Sequence, residues 1–123
     1  MATKPDQHIR SVVTSYFDAK NRRDVEAMFK AFAPSATVRD ENIEYACGPR
    51  IRRWLEDITQ KGRLTFEVLE TTPTERGVVA IVRASGEIPG SPFTLRYAFT
   101  LSGETIARLE TDLCADGIKR SFA

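Results

Sequence analysis

One histidine (His8) and two cysteines (Cys47 and Cys114) are all that 123 residues hold of those two residue types. With no Cys-x-x-Cys pair, a zinc or iron centre built from the usual sulfur and imidazole donors is close to excluded. The same scarcity removes mechanisms that need paired histidines or a Ser-His-Asp triad. Carboxylates, tyrosines and arginines are left to carry any chemistry, and no cofactor is expected. Two cysteines do not make a disulfide framework, so reduced thiols are expected. An excess of charge is missing as well: Lys and Arg number 18 against 17 Asp and Glu, for a net charge of +1. A dedicated nucleic-acid binder would show a basic surplus or stripe. No apolar run approaches the ~20 residues that span a bilayer. The opening MATKPDQHIR has no apolar signal-peptide core. The expectation is a cytoplasmic protein that engages neither nucleic acid nor membrane.

What is present suits a globular fold. Hydrophobic residues make up 41% of the chain, with seven phenylalanines, three tyrosines and one tryptophan, so disorder is excluded. Residues 1–123 read as a single domain, large enough to bury a core without a disulfide or metal staple.

The first half has helical periodicity. Over residues 5–21, Ile9, Val12, Val13, Tyr16 and Phe17 form one apolar stripe. Thr3 and Asp6 resemble a capping box. Asp24 is a good N-cap for a second helix carrying Val25, Met28, Phe29 and Phe32, which Pro34 is expected to stop. A short strand over 36–40 follows, with Val38 and Asp40 on one face and Thr37 and Arg39 on the other. Gly48-Pro49 opens a third helix with the stripe Ile51, Trp54, Leu55 and Ile58, closed by Gly62. Arg52 with Glu56 and Arg53 with Asp57 are spaced as ion pairs on its outer side.

From Leu64 the period changes to two. Leu64, Phe66 and Val68 alternate, residues 78–88 form a long strand after a turn at Gly77, and Pro89-Gly90-Ser91-Pro92 is a turn. Phe93, Leu95, Tyr97, Phe99 and Leu101 alternate next. Ser102-Gly103 turns into a last strand over 105–114. The order ααβαββββ predicts an α+β fold with an antiparallel sheet. In Val78-Val79-Ala80-Ile81-Val82 both alternation classes are apolar, as in a strand covered on both faces. With no helix after residue 62, a second copy is the expected cover, giving a homodimer through the outer sheet face.

The stretch SYFDAKNRRDVEAMFKAFAPSATVRD, residues 15–40, resembles the opening of the nuclear transport factor 2-like superfamily, in particular its SnoaL-like and ketosteroid-isomerase-like members. The residues that carry the resemblance are the helical Tyr16, the Arg-Asp-Val-Glu-Ala start of the second helix and Phe32-Ala33 running into Ala36-Thr37-Val38. Gly48 opening a helix with Trp54, and the ending Thr105-Ile106-Ala107-Arg108-Leu109, extend it over roughly residues 8–114. The resemblance implies three helices packed in the concave face of a strongly curved sheet, a cone with an apolar pocket. Tyr16, Phe29, Phe32, Val38, Trp54, Phe66, Tyr97 and Phe99 occupy inward-reading positions suited to line it and to take a small apolar molecule.

In ketosteroid-isomerase-like members a carboxylate at the position matching Asp40 abstracts a proton next to a carbonyl. The tyrosine matching Tyr16 hydrogen-bonds the developing enolate oxygen. The resemblance places Tyr97 where those enzymes carry a protonated aspartate, so the oxyanion donors here would be two phenols. An apolar pocket makes a carboxylate a stronger base. Glu41 follows Asp40 where the isomerases usually have proline. The plainer readings are a pocket-mouth carboxylate paired with an arginine or capping a turn, and two core aromatics whose hydroxyls find buried partners.

Other chemistries of the superfamily fit less well. Ser85 and Thr111 stand where the epoxide hydrolases have aspartates beside an arginine matching Arg83. Asp112 is one residue from the position that the cyclases use, and such a slip turns a side chain to the other face. Dehydratase members rely on histidines, and His8 reads as a solvated helix residue. Arg83 and Arg96 are expected to face outward, and Arg50, Arg52 and Arg53 to form a paired helix face. Cys47 precedes a helix N-terminus, which lowers a thiol pKa, but no base stands beside it. Cys114 reads as a strand-end apolar residue. Three functions remain in view: metal-free isomerase- or cyclase-like proton transfer on an apolar carbonyl compound, non-catalytic binding of such a ligand, and a dimeric interaction domain.

Overall fold

A computed structural model of the chain describes residues 4–46, 48–60, 63–87 and 89–114, with side chains from residue 10 onward. The Thr3–Asp6 cap, the side chain of His8, Cys47, Gly62 and the strand end at Ile88 fall outside the described residues or side chains. Three helices, α1 (Lys4–Asn21), α2 (Val25–Lys30) and α3 (Gly48–Gln60), accompany six strands. The strands are β1 (Phe32–Asp40), β2 (Ile43–Ala46), β3 (Leu64–Pro73), β4 (Gly77–Gly86), β5 (Phe93–Ser102) and β6 (Thr105–Cys114). They form one sheet in the order β2-β1-β6-β5-β4-β3. All neighbours are antiparallel except β1 and β6, which run parallel. The fold is the expected α+β one, with the helices on one side of a curved, unclosed sheet.

Helix α1 ends where its backbone requires. Arg23 takes a left-handed φ of 59°. Its N–H donates to the Lys20 carbonyl at 3.1 Å, and the Asp24 N–H donates to that of Ala19 at 2.9 Å. That pair of bonds is the Schellman arrangement, which satisfies the last carbonyls of a helix. Asn21 then ties the terminus to β3. Its Nδ2 donates to the Phe66 carbonyl at 2.9 Å, and its Oδ1 accepts from the Phe66 N–H at 2.7 Å. Asp24 caps α2 as expected, accepting from the Ala27 N–H at 3.0 Å.

Two expectations need correction at this point. Helix α2 ends at Lys30, not after Phe32, and β1 has already begun when the chain reaches Pro34. The parallel pairing with β6 draws Phe32 opposite Ile106, and the Ile106 N–H donates to the Ala31 carbonyl at 2.8 Å. Pro34 is tolerated because the register of β1 shifts between Phe32 and Thr37. A residue without an N–H is at home in such an irregularity. The second correction is β2, a short strand absent from the expected order, which becomes ααββαββββ. Its hairpin with β1 turns on Glu41 (φ 49°) and Asn42 (φ 79°). Two positive φ values in succession match the twist of the flanking strands.

The core lies between the helices and the concave face. Val78, Ala80 and Val82 on β4, Val38 on β1, Leu109 on β6, and Met28 and Leu55 on the helices are all fully buried. Tyr16, Phe17, Phe32, Tyr97 and Phe99 form an aromatic cluster among them, with centroids 4.8–6.2 Å apart, edge-to-face except for the stacked Tyr97–Phe99 pair. Register shifts in β1, β3 and β6 bend the sheet around this core. On the convex face, Val79 and Ile81 are only half-buried. No helix of the described residues is long and apolar enough to cross a membrane.

Candidate functional site

Asp40 ends β1, immediately before the tight turn, so its position is set by the hairpin on one side and by β6 on the other. The Glu41 N–H donates to the Thr111 carbonyl at 3.1 Å, closing the strand end onto β6. Both carboxylate oxygens are engaged. Trp54 Nε1 on α3 donates to Oδ2 at 2.9 Å, and Thr111 Oγ1 on β6 donates to Oδ1 at 2.8 Å. Trp54 and Thr111 are buried while Asp40 is half-buried. Charge-assisted bonds of this kind fix the plane of a carboxylate. The plainer expectation of an arginine partner for Asp40 is not met among the described residues; an indole and a hydroxyl take that place.

A cavity of about 250 Å³ opens onto this carboxylate. Ile58, Leu64, Phe66 and Leu95 give it apolar walls, and Lys20, Asp40, Glu41, Trp54, Tyr97 and Thr111 supply its polar groups. Of the residues read as pocket lining, Trp54, Phe66 and Tyr97 border it. Tyr16, Phe32, Val38 and Phe99 are packed in the core instead, and Phe29 lies under the Arg52 guanidinium, 5.4 Å from its ring centroid. The aromatic cluster fills that part of the cone, which is why the space is smaller than the inward-facing pattern suggests.

The two phenols differ. Tyr97 borders the cavity, and burial, followed by the charge of Asp40, raises its pKa above the ordinary tyrosine value. It is therefore a neutral hydrogen-bond donor at physiological pH. Tyr16 is 1% exposed, its hydroxyl finds no hydrogen-bond partner, and it does not border the cavity. Burial foremost, then Tyr97 and Asp40, push its pKa well up.

Lys20 was not foreseen as a site residue. It is 8% exposed, borders the cavity and sets its Nζ 4.7 Å from the centre of the Phe66 ring and 6.0 Å from that of Tyr16. Burial lowers its pKa to about 8, against a smaller upward pull from Asp40. The signal was available: Lys20 lies four residues after Tyr16 and three after Phe17, on the apolar stripe of α1. Lysine at such a position is ordinarily read as a solvated end of the stripe.

The remaining candidates fall outside the cavity. Asp112 lies on the convex face with Arg39, 3.2 Å away, so the one-residue slip does turn it from the site. Arg83 pairs with Glu67 at 3.2 Å on the same face, and Arg96 is exposed there. Arg52 pairs with Glu26 and Glu56, and Arg53 with Asp57. Cys114 is buried at the end of β6. No cluster of three metal-binding side chains occurs among the described residues.

Comparison with known proteins gives one family and a large set of structures. The family model of the SnoaL-like domain matches residues 13–108. A candidate polyketide cyclase from Sinorhizobium meliloti is 36% identical, over 83% of this chain and 94% of its own, with a TM-score of 0.77. A candidate ketosteroid isomerase from Kribbella flavida is 12% identical over 87% of this chain and 78% of its own, at a TM-score of 0.75. The epoxide hydrolase/cyclase-like enzyme SalBIII, with a role in pyran ring formation in the polyether salinomycin, is 17% identical over 88% and 92%, at 0.74. The last two share the fold alone. No curated protein matches.

Proposed function

Because this chain belongs to the SnoaL-like domain family, whose fold it shares with isomerases and cyclases, we propose that its cavity binds a small, mainly apolar carbonyl compound and that Asp40 moves a proton on it. The observation that carries the reading is the engagement of Asp40 from two elements at the edge of an open space. A structural carboxylate has no need of a cavity in front of it. A general base does, and it must also be held in one orientation.

In this reading Asp40 removes a proton from the carbon next to the carbonyl and returns it at the same or a neighbouring carbon. Tyr97 hydrogen-bonds the oxygen on which negative charge develops, as a neutral phenol placed in advance can do. Trp54 and Thr111 hold the carboxylate, and Phe66, Leu64, Leu95 and Ile58 exclude water from the apolar part of the ligand. Tyr16 acts through packing, since its hydroxyl does not border the space.

The test is exchange of carbonyl-adjacent hydrogens in deuterium oxide, followed by NMR over a panel of small ketones including β,γ-unsaturated ones. Exchange or isomerisation by the wild type, lost in Asp40→Asn, is the expected result. Ligand binding without turnover by either protein would leave a binding domain.

A further inference from the structure

Lys20 is a buried cation at the wall of a cavity that Asp40 and Glu41 also border, and it makes no ion pair with either among the described residues. Such a group is costly to bury, and the proton transfer described above gives it no task. Building on that reading, we propose that Lys20 is a covalent amine: its Nζ condenses with the carbonyl carbon of a small aldehyde or ketone, and the iminium ion so formed is the electron sink for proton removal by Asp40.

Placement favours the reaction. The Schellman turn and the Asn21 clamp fix the end of α1 against β3, so the amine is held at the cavity wall. Phe66, the residue that Asn21 grips, also puts its ring face under Nζ at 4.7 Å. A ring face stabilises a nearby cation, and an iminium ion carries the same single positive charge as the ammonium that it replaces. The lowered pKa, about 8, leaves about a tenth of the amine neutral and nucleophilic at pH 7. Tyr16, the second phenol expected to hold an enolate oxygen, has its hydroxyl buried away from the space. An iminium nitrogen takes over that need.

The atoms balance without a further reagent. Nitrogen attacks the carbonyl carbon to give a carbinolamine, whose C–O bond then breaks. Counted from the ammonium form, the two protons that leave nitrogen depart with the carbonyl oxygen as water, and the positive charge stays on nitrogen. Asp40 next takes the proton from the adjacent carbon. The C–H pair becomes a C=C bond, and the C=N pair returns to nitrogen as a neutral enamine. Reprotonation on carbon and addition of water release the carbonyl compound and restore the amine.

The experiment is reductive trapping. Wild-type protein is incubated near neutral pH with hexanal, and separately with cyclohexanone, in the presence of sodium cyanoborohydride, and alkylated lysines are located by peptide mass mapping. Lys20 is expected to be alkylated at least about tenfold faster than Lys4, Lys30, Lys61 or Lys119, and its adduct to be absent from Lys20→Met and Lys20→Arg. Equal labelling of all lysines, with Lys20 no faster than the rest, overturns the proposal. Deuterium exchange separates it from the reading on which it rests. Exchange lost in Asp40→Asn but kept in Lys20→Arg and Lys20→Met leaves proton transfer standing and overturns the covalent amine. Selective alkylation of Lys20 with exchange indifferent to Asp40→Asn supports the amine and overturns Asp40 as the base.

Discussion

The indole N–H of Trp54 donates to Asp40 Oδ2 at 2.9 Å across the gap between α3 and the end of β1. It is one of two bonds that decide which way the carboxylate faces. Trp54→Phe keeps most of the apolar volume and removes the donor. A hydrogen bond to a charged group contributes about 1.5–3 kcal/mol, so stability in urea should fall by about that amount and Asp40-dependent exchange should slow. Thr111→Val, which removes the other donor, should act in the same direction. A double-mutant cycle should show the two effects to be non-additive, since both donors serve one carboxylate.

Lys20→Met should stabilise the protein at neutral pH. Burial lowers the pKa from 10.5 to about 8, so below pH 8 lysine is charged in both the folded and unfolded chains and its full burial cost is present. As pH rises from 8 to 10.5 the folded state holds fewer protons than the unfolded one, stability rises, and the cost disappears. Tyr16, Asp40, Glu41 and Tyr97 are the titratable groups that face or surround this amine. The expected gain for Lys20→Met is about 1–3 kcal/mol at pH 7 and close to nothing above pH 10.5. Urea melts at pH 7 and 10.5 check it. A gain unchanged between the two would show that packing alone is responsible.

Asn21→Ala removes both bonds to the Phe66 backbone, leaving an N–H and a carbonyl to find other partners. A loss of about 1–3 kcal/mol is expected, together with slower reductive labelling of Lys20 because the helix end is released. Arg23→Gly relieves a left-handed φ of 59° but also removes the guanidinium bond to the Leu64 carbonyl at 3.4 Å, so its stability should stay within about 1 kcal/mol of the wild type. Thermal melts should therefore place Asn21→Ala below Arg23→Gly.

On the convex face, Val79 and Ile81 are half-buried beside the Arg83–Glu67 and Arg39–Asp112 pairs. Sedimentation at micromolar concentration is expected to show a dimer that Ile81→Glu converts to a monomer. A wild-type monomer removes the second copy as the cover of this face.

Periodicity carried most of the fold. The stripes of α1 and α3, the Asp24 cap and the alternation of β5 each repeat often enough to stand out from one chain alone. Strand β2 did not, because four residues after a Glu-Asn turn carry too little alternation, and the usual Asn-Gly or Asp-Gly signal is absent. Pro34 marks where a helix cannot continue but not where this one ends, because pairing with the distant β6 already draws the chain into β1 at Phe32. The site divides similarly. Asp40 and Tyr97 follow from facing inward on their strands. Thr111 as a donor to Asp40 depends on the β1–β6 register, which no local pattern reveals. Lys20 lay on a legible stripe but was hidden by its residue type, since a lysine head normally reaches water.

The parallel pairing of β1 with β6 has a consequence in time as well as in space. Asp40 meets Thr111 at a sequence separation of 71, and every other strand pair in the sheet is closed by shorter connections. Contacts of such separation are slow to form, because the loop must close before it is rewarded. During synthesis the β1–β2 hairpin emerges early, and the second edge of β1 stays uncovered until β6 is made. The cavity needs both strands in place, so a carbonyl compound bound there would favour the completed sheet over any form of the chain in which β6 is undocked.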